Sequence, residues 1–195
     1  MTTQTPRRGR PRSAKVDQTA MRSALKLLQQ VGFRQLTLDA VAADAGVSKM
    51  AIYRRWPNKA HVVMDAFMEL VGPASHFPPA RRALKRLKLQ MRLQARLFSG
   101  HFGKLIRSLL GEAQFDDELA EAFRERWLLP RREMTREILQ TAIAEGDLKR
   151  SIDLDQAIDL LYAPFYYRLL LGVGALDDGL SDHVFQAALA GLRNA

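Results

Sequence analysis

The residues of this sequence with the clearest chemical potential lie in the stretch "AGVSKMAIYRRWPNK", residues 45–59. Ser48 can cap a helix and Pro57 can end one, so the residues between them are predicted to form one short helix. Its solvent-facing positions are Lys49, Met50, Tyr53, Arg54 and Arg55. Cations and hydroxyl groups bind the phosphates of nucleic acids, and Lys also pairs with the acceptor atoms of guanine. The stretch therefore predicts recognition of a polyanion.

A second group of cations forms the stretch "RRGRPR" near the start of the chain. Gly9 and Pro11 oppose both helix and strand, so we predict a disordered basic arm over residues 1–14. Such an arm can place arginines, here Arg8 and Arg10, in a narrow minor groove of DNA, where negative potential is enhanced. The alternative is a solvated basic tail. A second DNA-reading element further along the chain favours groove contact.

The distribution of charge supports a polyanionic partner for the first part of the chain. The net charge is +9 over 195 residues. Residues 1–60 hold twelve Lys/Arg and three Asp/Glu, whereas residues 61–195 hold eighteen of each. The whole excess lies in the first third, which indicates a basic module on a neutral body.

The remaining composition argues against several kinds of site. The chain has no cysteine, which excludes disulfides and thiolate metal sites. Its four histidines are scattered without metal-ligand spacing, so we expect no metal and no cofactor. We find no glycine-rich phosphate loop, no HExxH motif, no nucleophile elbow and no paired catalytic carboxylates, and so predict that the protein is not an enzyme.

Neither a signal peptide nor a membrane span is predicted. The first twenty residues are polar and lack an apolar core region. The longest apolar run, residues 160–176, contains Pro164 and Arg168, whereas a membrane helix needs about 20 residues with few charges. We interpret the run as a buried helix with its exit loop, and expect a cytoplasmic protein.

Two helices before the short cationic helix are predicted to position it. Apolar residues at helical spacing indicate a first helix from Ser13, its cap, to about Val31, with Gly32 ending it. Thr37 caps a second helix, "LDAVAADA". Gly46 then permits the left-handed turn that leads into the third helix.

Further residues fix how the third helix is held. Val47 fills the inside of the turn and Ile52 points to the core, while Trp56 is expected to pack between the third and fourth helices. Asn58 caps the fourth helix, which ends near Val71. This is a helix-turn-helix arrangement. Its third helix spans roughly 12–13 Å, comparable to a major groove about 12 Å wide. A charged helical hairpin inside a larger bundle is the weaker alternative, because it does not explain the caps, the local charge and the arm together.

The stretch "GFRQLTLDAVAADAGVSKMAIYRRWPNKAHVV", residues 32–63, resembles the DNA-binding domain of the TetR/AcrR family of transcriptional regulators. The shared features are Gly32-Phe33, Thr37, Val41-Ala42, Ala45-Gly46-Val47-Ser48, Ile52-Tyr53 and Asn58-Lys59. The resemblance covers residues from about 15 to 70. Beyond them the chain is similar to the family only in its helical content, its length and the character of its last two helices.

The resemblance implies a homodimer in which each subunit places its third helix in a major groove of a pseudopalindromic operator. By position, phosphates would be bound by Thr37, Tyr53 and Lys59. By position, bases would be faced by Ser48, Lys49 and Met50. Lys49 with guanine O6 and N7 is the pair expected to read sequence. Met50 departs from the small or polar residues that are commoner there, although its thioether can pack on a thymine methyl.

The rest of the chain predicts an all-α second domain. The segment "GPASHFPPA", with three prolines, marks the junction. We therefore divide the chain into a helix-turn-helix domain with its linking fourth helix, residues 15–71, and a helical ligand-binding and dimerisation domain, residues 72–195. The further helices are predicted at about 81–99, 102–113, 117–145 with a break at Pro130, 154–171 and 181–193. With the first four, they make about nine helices.

Two segments of this domain carry opposite charge. "RRALKRLKLQMRLQAR" carries seven cations and no acid, and "EAQFDDELAEAFRE" carries six acids. We expect the basic segment to form a solvated helix face whose charge is balanced by the acidic segment. A membrane-surface helix and a role at an anionic ligand or the edge of the DNA are the alternatives.

The last two helices are predicted to form the dimer interface. Apolar residues surround much of the first of them, so it needs two covering surfaces. One is the domain's own core and the other, we suggest, is a second subunit. The candidate interface residues are Leu161, Phe165, Leu169, Val184, Ala188 and Gly191. In the family that the chain resembles, such helices build a four-helix bundle. Dimerisation joins two operator half-sites about 34 Å or more apart.

Aromatic residues and a methionine in the second domain indicate a cavity for a small hydrophobic or aromatic effector. The candidates are Met91, Phe98, Trp127, Tyr162 and Tyr166. The same side chains also fill ordinary cores, which is the alternative for each of them. Pro164 invites a helix kink that would leave room near the two tyrosines.

These features together predict a homodimeric transcriptional repressor that a small molecule releases from its operator. An effector-independent DNA-binding or architectural regulator is the alternative. A structure without a cavity of about 300 Å³ or more would favour that alternative.

Overall fold

The computed structural model describes residues 11–72 and 78–193, except for the side chains of residues 11–13. Within these ranges the protein is all-α, without a strand, which confirms the predicted fold class. Its elements are α1 (Pro11–Gln35), α2 (Leu38–Ala45), α3 (Lys49–Tyr53), α4 (Lys59–Val71), α5 (Ala83–Ser99), α6 (His101–Glu112), α7 (Asp117–Phe123), a π-helical segment (Arg124–Leu128), α8 (Leu129–Ala144), α9 (Leu154–Leu171) and α10 (Asp178–Leu192). Counting α7 to α8 as one helix, the described ranges hold nine, as predicted.

The chain divides between Glu69 and Leu70 into two compact units. In the first unit α2, α3 and α4 begin where cap chemistry places them, whereas α3 ends at Tyr53, before the predicted end at Pro57, and α1 resumes after Gly32 and continues to Gln35. The predicted N-caps each accept the backbone N–H three residues on, Thr37 from Ala40 (3.1 Å), Ser48 from Ala51 (3.2 Å) and Asn58 from His61 (3.1 Å). Gly32 and Gly46 have φ values of 76° and 64°, which side chains with a Cβ resist. These confirmed turns set the order α1–turn–α2–turn–α3.

The start of α1 differs from the prediction. The helix begins at Pro11, so residues 11–14 are helical although they were assigned to the arm, and Ser13 is not its cap. Pro suits the first turn of a helix because the N–H that it lacks would have no intrahelical partner there. Arg8 and Arg10 lie outside the described residues.

In the second unit α5 is the central helix, and it packs against α6, α8, α9 and α10. Its buried side includes Leu87, Met91 and Phe98, and α9 contributes Leu161 and Phe165 to the same core. Pro164 does not interrupt α9, which remains α-helical on both sides of it. The irregular backbone lies instead in the π-helical segment.

The π-helical segment replaces the break predicted at Pro130. In a regular α-helix the ring of Pro130 would clash with the carbonyl of Arg126, and that carbonyl would lose its N–H partner. The turn just before Pro130 widens into a π-helix, so the chain continues into α8 without an interruption. π-Helical turns of this kind are frequent at functional sites.

Cations of α5 form ion pairs with acids, but these acids are not in the segment that the sequence analysis predicted. Arg92 binds Asp182 through two hydrogen bonds (2.8 and 2.5 Å), and Arg96 binds Asp178 in the same way (2.9 and 2.6 Å). Both carboxylates lie on α10, not in the acidic segment around α7. The basic face of α5 therefore serves to hold α10, as a partly solvated row of ion pairs.

The described helices include none that is both long and apolar enough to cross a membrane. Among the same residues, no group of three or more His, Cys, Asp or Glu side chains is arranged to hold a metal ion.

Candidate DNA-binding surface and effector cavity

Helix α3 and the turn that follows it are held by two buried side chains. Ile52 is fully buried, and Trp56 is buried with its indole N–H donating to Asp65 Oδ2 of α4 at 2.7 Å. The predicted packing role of Trp56 between α3 and α4 is confirmed. Because Ile52 occupies the inner side of the five-residue α3 and Trp56 anchors the turn that follows it, most of the remaining side chains of α3 are directed outward.

The outward side of α3 brings together most of the side chains that the sequence selected. Ser48, Lys49 and Arg54 are exposed, as are Met50 (79 %) and Tyr53 (53 %). Arg55 is an exception, since it is half-buried, pairs with Asp17 of α1 and donates to the carbonyl of Ala51 at 2.9 Å. Arg55 therefore fastens α3 to α1 rather than facing outward as predicted.

A carboxylate that sequence reasoning missed lies against this patch. Lys49 Nζ is 2.6 Å from Asp39 Oδ2, and the Tyr53 hydroxyl donates to Asp39 Oδ1 at 3.1 Å. The hydrogen bond from Lys49 lowers the pKa of Asp39, while the carboxylate raises the pKa values of Lys49 and Tyr53. Asp39 thus fixes the orientation of two predicted DNA contacts and neutralises one of them in the free protein. Its only signal in the sequence is its place in the first turn of α2, where an acid interacts favourably with the helix dipole.

Lys59 and Thr37 take part in the fold as well as in the candidate surface. Lys59 Nζ donates to the carbonyl oxygens of Phe33 and Arg34 at 3.0 and 3.1 Å and lies 4.5 Å from the centre of the Phe33 ring. One of its three N–H groups is left for a phosphate. Thr37 is exposed, and its hydroxyl oxygen is the cap of α2. A hydroxyl that accepts from a backbone N–H still has a hydrogen to donate.

The second unit contains a cavity of about 410 Å³. Residues of α5, α6, α7, the π-helical segment, α8 and α9 line it. The polar side chains of its wall include Gln90, Gln94, Arg131, Thr135, Tyr162 and Tyr166. Apolar side chains such as Phe123 and Ile158 complete it. A mainly apolar wall with a few convergent polar groups is typical of a small-molecule site.

Of the five side chains predicted to line a cavity, only Tyr162 and Tyr166 do so. Met91, Phe98 and Trp127 are buried in the core behind the wall, so their assignment as lining residues is wrong. Phe98 packs edge-on against Tyr166 at 5.1 Å between ring centres, and Trp127 Nε1 donates to the Tyr166 hydroxyl at 3.0 Å. These two residues support the wall without forming its surface.

The two tyrosines are neutral hydrogen-bonding groups. Burial raises the pKa values of Tyr162 and Tyr166 above the usual range for tyrosine. Tyr162 donates its hydroxyl hydrogen to Gln90 Oε1. The Tyr166 hydroxyl accepts from Trp127 and retains its own hydrogen for a ligand.

Three charged residues line the cavity between α8 and α9. Arg132 pairs with Asp159, and also with Asp155 at 3.0 Å. Arg131 instead stacks on Trp127, with its Cζ 3.3 Å from the ring centre. Burial lowers the pKa of Arg131 to about 10, so it remains a cation at neutral pH. Its position four residues after Trp127 is the one trace of this arrangement in the sequence.

The predicted dimer residues lie mainly in the chain's own core. Leu161, Phe165 and Leu169 are fully buried, Val184 and Ala188 nearly so, and of the six only Gly191 is exposed. A second subunit has no access to the five buried side chains, so assigning them to an interface was wrong. The free apolar side of α9 is the opposite one, formed by Leu160, Ala163, Tyr167, Leu170 and Leu171.

Comparison with known protein families assigns both units. Residues 20–65 match the family described as bacterial regulatory proteins, tetR family. Residues 77–188 match the family described as tetracyclin repressor-like, C-terminal domain. The two matches together cover the candidate DNA-binding surface and the helices that form the cavity.

Individual proteins show the same similarity over most of their length. The chain is 33% identical over 187 residues to the uncharacterized HTH-type transcriptional regulator YdeS of Bacillus subtilis, covering 96% of this chain and 94% of that one. It is 29% identical over 176 residues to the DNA-binding transcriptional repressor TetR of Mycobacteroides abscessus, covering 88% of each. The crystal structure of the TetR family transcription regulator SCO0332 has a TM-score of 0.74 at 28% identity, covering 92% of this chain and 100% of that one.

Proposed function

Because this chain belongs to the TetR family of bacterial transcriptional regulators, we propose that it is a homodimeric repressor which a small molecule releases from a pseudopalindromic operator. The observation that carries the ligand-responsive part is the cavity of about 410 Å³ in the C-terminal unit. It exceeds the roughly 300 Å³ at which small-molecule sites begin. The cavity therefore favours this function over an effector-independent or architectural regulator.

DNA binding is assigned to a domain over residues 15–71. Lys49 and Met50 are proposed to face bases, since both project from the outward side of α3. Tyr53 and Arg54 are proposed to bind phosphates on either side of the groove. Ser48 and Thr37 add hydroxyl donors to this surface, Lys59 offers its remaining N–H group, and Arg8 and Arg10 remain predicted minor-groove contacts.

The second subunit is proposed to cover the free apolar side of α9, within a ligand-binding and dimerisation domain over residues 72–195. Leu160 and Tyr167 are 52 % and 60 % exposed in the single chain, and Leu170 and Leu171 lie beside them. Fully burying a large apolar side chain contributes roughly 1.5–3 kcal/mol. Several half-exposed ones together can therefore offset much of the unfavourable entropy of association.

Release from the operator requires the ligand to favour the conformation that binds DNA poorly. A coupling free energy of about 1–3 kcal/mol would lower operator affinity about 5–150-fold. We propose that α4 transmits this change, because it follows α3 directly in the chain and ends where the second unit begins. The name of the Mycobacteroides abscessus relative, a transcriptional repressor, supports the sign of the regulation.

The relatives and similar folds are transcriptional regulators rather than enzymes, and we propose that the chain has no catalytic role. A regulator of this kind acts on the chromosome, so we place its action in the cytoplasm.

The DNA-binding proposal is tested by incubating the purified protein with fragmented genomic DNA and sequencing the bound fragments. We expect a two-fold symmetric site, and gel-shift titrations whose affinity falls steeply with salt. Lys49→Glu should remove binding to that site. Lys104→Glu, an equal charge change on the exposed side of α6, should retain specific binding. Equal loss in both variants, or a flat salt response, would contradict the proposed surface.

The dimer proposal is tested by light scattering at micromolar concentration. Leu160→Glu places a charge in the centre of the proposed interface and should give a monomer. Leu129→Glu is the matched control, because Leu129 is 49 % exposed on α8, outside this face. A dimer that survives Leu160→Glu, or a wild-type protein that is monomeric, would rule out this interface.

A further inference from the structure

The cavity wall contains a cation that is not neutralised by the protein. The guanidinium of Arg131 makes no ion pair and no hydrogen bond with any residue in the described ranges. It is half-buried and lies flat on the Trp127 indole, which supports one of its faces through a cation–π contact. The edges of the guanidinium, where its N–H donors lie, are left without protein acceptors. Trp127 belongs to the π-helical segment.

The other charges of the wall do not compensate Arg131. The acid that lines the cavity, Asp159, is held by Arg132. Arg124 also lines the cavity and is exposed, so it adds positive charge that water screens. The wall as a whole therefore carries an excess of positive charge, and its least hydrated cation is Arg131.

An unpaired cation in a partly dry site lowers the stability of the protein unless something binds it. The wall offers no carboxylate for this purpose, but it offers space and neutral donors. The Tyr166 hydroxyl, whose oxygen accepts from Trp127, is a second donor close to Arg131. Two donors beside an apolar space match a ligand that has an anionic end and an apolar body.

We propose that the cavity binds a singly charged organic anion, with its carboxylate or similar group on Arg131 and its apolar part among the aromatic and aliphatic lining. A single charge fits because Arg131 is the one uncompensated guanidinium of the wall that is partly buried, whereas the charge of Arg124 is exposed and screened by water. A doubly charged phosphate would remain partly unpaired. This inference rests on the proposed function, since it names the class of effector for the same cavity.

The test compares two dyes that share one aromatic skeleton. 8-Anilino-1-naphthalenesulfonate carries a single negative charge, and N-phenyl-1-naphthylamine is the same molecule without the sulfonate. Both become fluorescent in apolar surroundings, so the dissociation constant of each is measured by titration with the full-length protein. We expect the wild-type protein to bind the anionic dye more tightly than the neutral one.

Replacement of the cation should remove this preference selectively. Arg131→Met is expected to weaken the anionic dye at least about tenfold, the effect of losing a charged hydrogen bond, and to change the neutral dye less than about twofold. Arg107→Met, an exposed arginine of α6 that does not line the cavity, is the charge-matched control and should leave both dyes unchanged.

A cavity-filling variant separates this inference from the proposed function. Ala120→Phe places a ring in the cavity and should weaken the binding of both dyes. Such a loss would show that the fluorescence comes from dye bound in the cavity. Wild-type protein that binds both dyes equally, or Arg131→Met that weakens both equally, would overturn the anion assignment while leaving a ligand cavity. Dye binding that is unaffected by Ala120→Phe would overturn the cavity as a ligand site, and with it both proposals.

The single charge is tested by displacement of the anionic dye. 1-Naphthoate and 1-naphthyl phosphate have the same ring system and differ in their charged group. We expect 1-naphthoate to compete at the lower concentration. Tighter competition by 1-naphthyl phosphate would overturn the single-charge assignment.

Discussion

The position of the Asp39 carboxylate leads to a specific prediction about DNA binding. In the free protein it neutralises Lys49 and accepts a hydrogen bond from Tyr53. A lysine in an ion pair must leave its acid, or share it, before it binds a phosphate or a guanine. Asp39→Asn removes the charge but keeps the size of the side chain. It should therefore free Lys49 and, at low salt, raise affinity for DNA of any sequence.

The size of this effect follows from counterion release. Each phosphate neutralised on duplex DNA contributes about −0.9 to the slope of log affinity against log salt. One additional free cation per subunit should steepen the slope by about 0.9. The advantage of the variant over the wild type should then shrink about 3.5-fold per subunit between 50 and 200 mM salt. Preference for the operator should fall at the same time, because Lys49 is no longer oriented for its proposed base contact.

The assay is a fluorescence anisotropy titration of operator and random duplexes at several salt concentrations. Asp44→Asn is the matched control, since Asp44 also lies on α2 and pairs with Lys26 at 2.5 Å, away from α3. It changes the net charge equally and should leave the operator preference unchanged. An Asp39→Asn variant with wild-type slope and wild-type preference would show that Asp39 does not restrain Lys49 in solution.

Two further predictions concern the C-terminal unit. A Cβ on Gly103 would lie 1.8 Å from the backbone carbonyl oxygen of Phe98, so Gly103→Ala should lower the unfolding free energy in urea by about 3 kcal/mol or more. Gly111→Ala, which meets nothing within 4 Å, should instead raise it by about 0.5–1 kcal/mol, and equal effects would refute the clash. The Arg92 hydrogen bond lowers the pKa of Asp182 to about 2 from 3.8, so its stabilising effect is present above about pH 4 and is lost as the pH falls through 2. In Asp182→Asn the melting temperature should therefore depend less on pH between pH 4 and 2. The same pH dependence as in the wild type over this range would contradict this role.

The N-terminal unit could be predicted from sequence because its information is local. A cap side chain acts three residues away, and a glycine with positive φ acts at its own position. Thr37, Gly46, Ser48 and Asn58 therefore determine where the helices begin and turn without reference to the rest of the chain. Asp39 was missed for the opposite reason. It is ten residues before Lys49, and only the turn between α2 and α3 brings the two together.

The C-terminal helices could be located from sequence, but their faces could not be assigned. α9 has apolar residues around most of its circumference, so periodicity does not distinguish the side toward the protein's own core from the free side. The prediction chose Leu161 and its neighbours at helical spacing, which form the stronger stripe. The stronger stripe is the one that packs inside the chain, and the second stripe, with Leu160 and Tyr167, is the one left uncovered.

The cavity shows why ligand chemistry is harder to predict than a fold. Large aromatic residues were predicted to line the cavity, yet Phe98 and Trp127 lie behind its wall. Burial of their apolar surface stabilises the core. The residues that distinguish a cavity from a core are polar, because burying a polar side chain in an apolar core costs free energy. Gln90 and Gln94 are buried four residues apart on α5, and Arg131 follows a buried tryptophan at the same spacing. In this chain, polar side chains at helical spacing on a buried face indicate the cavity better than the aromatic residues do.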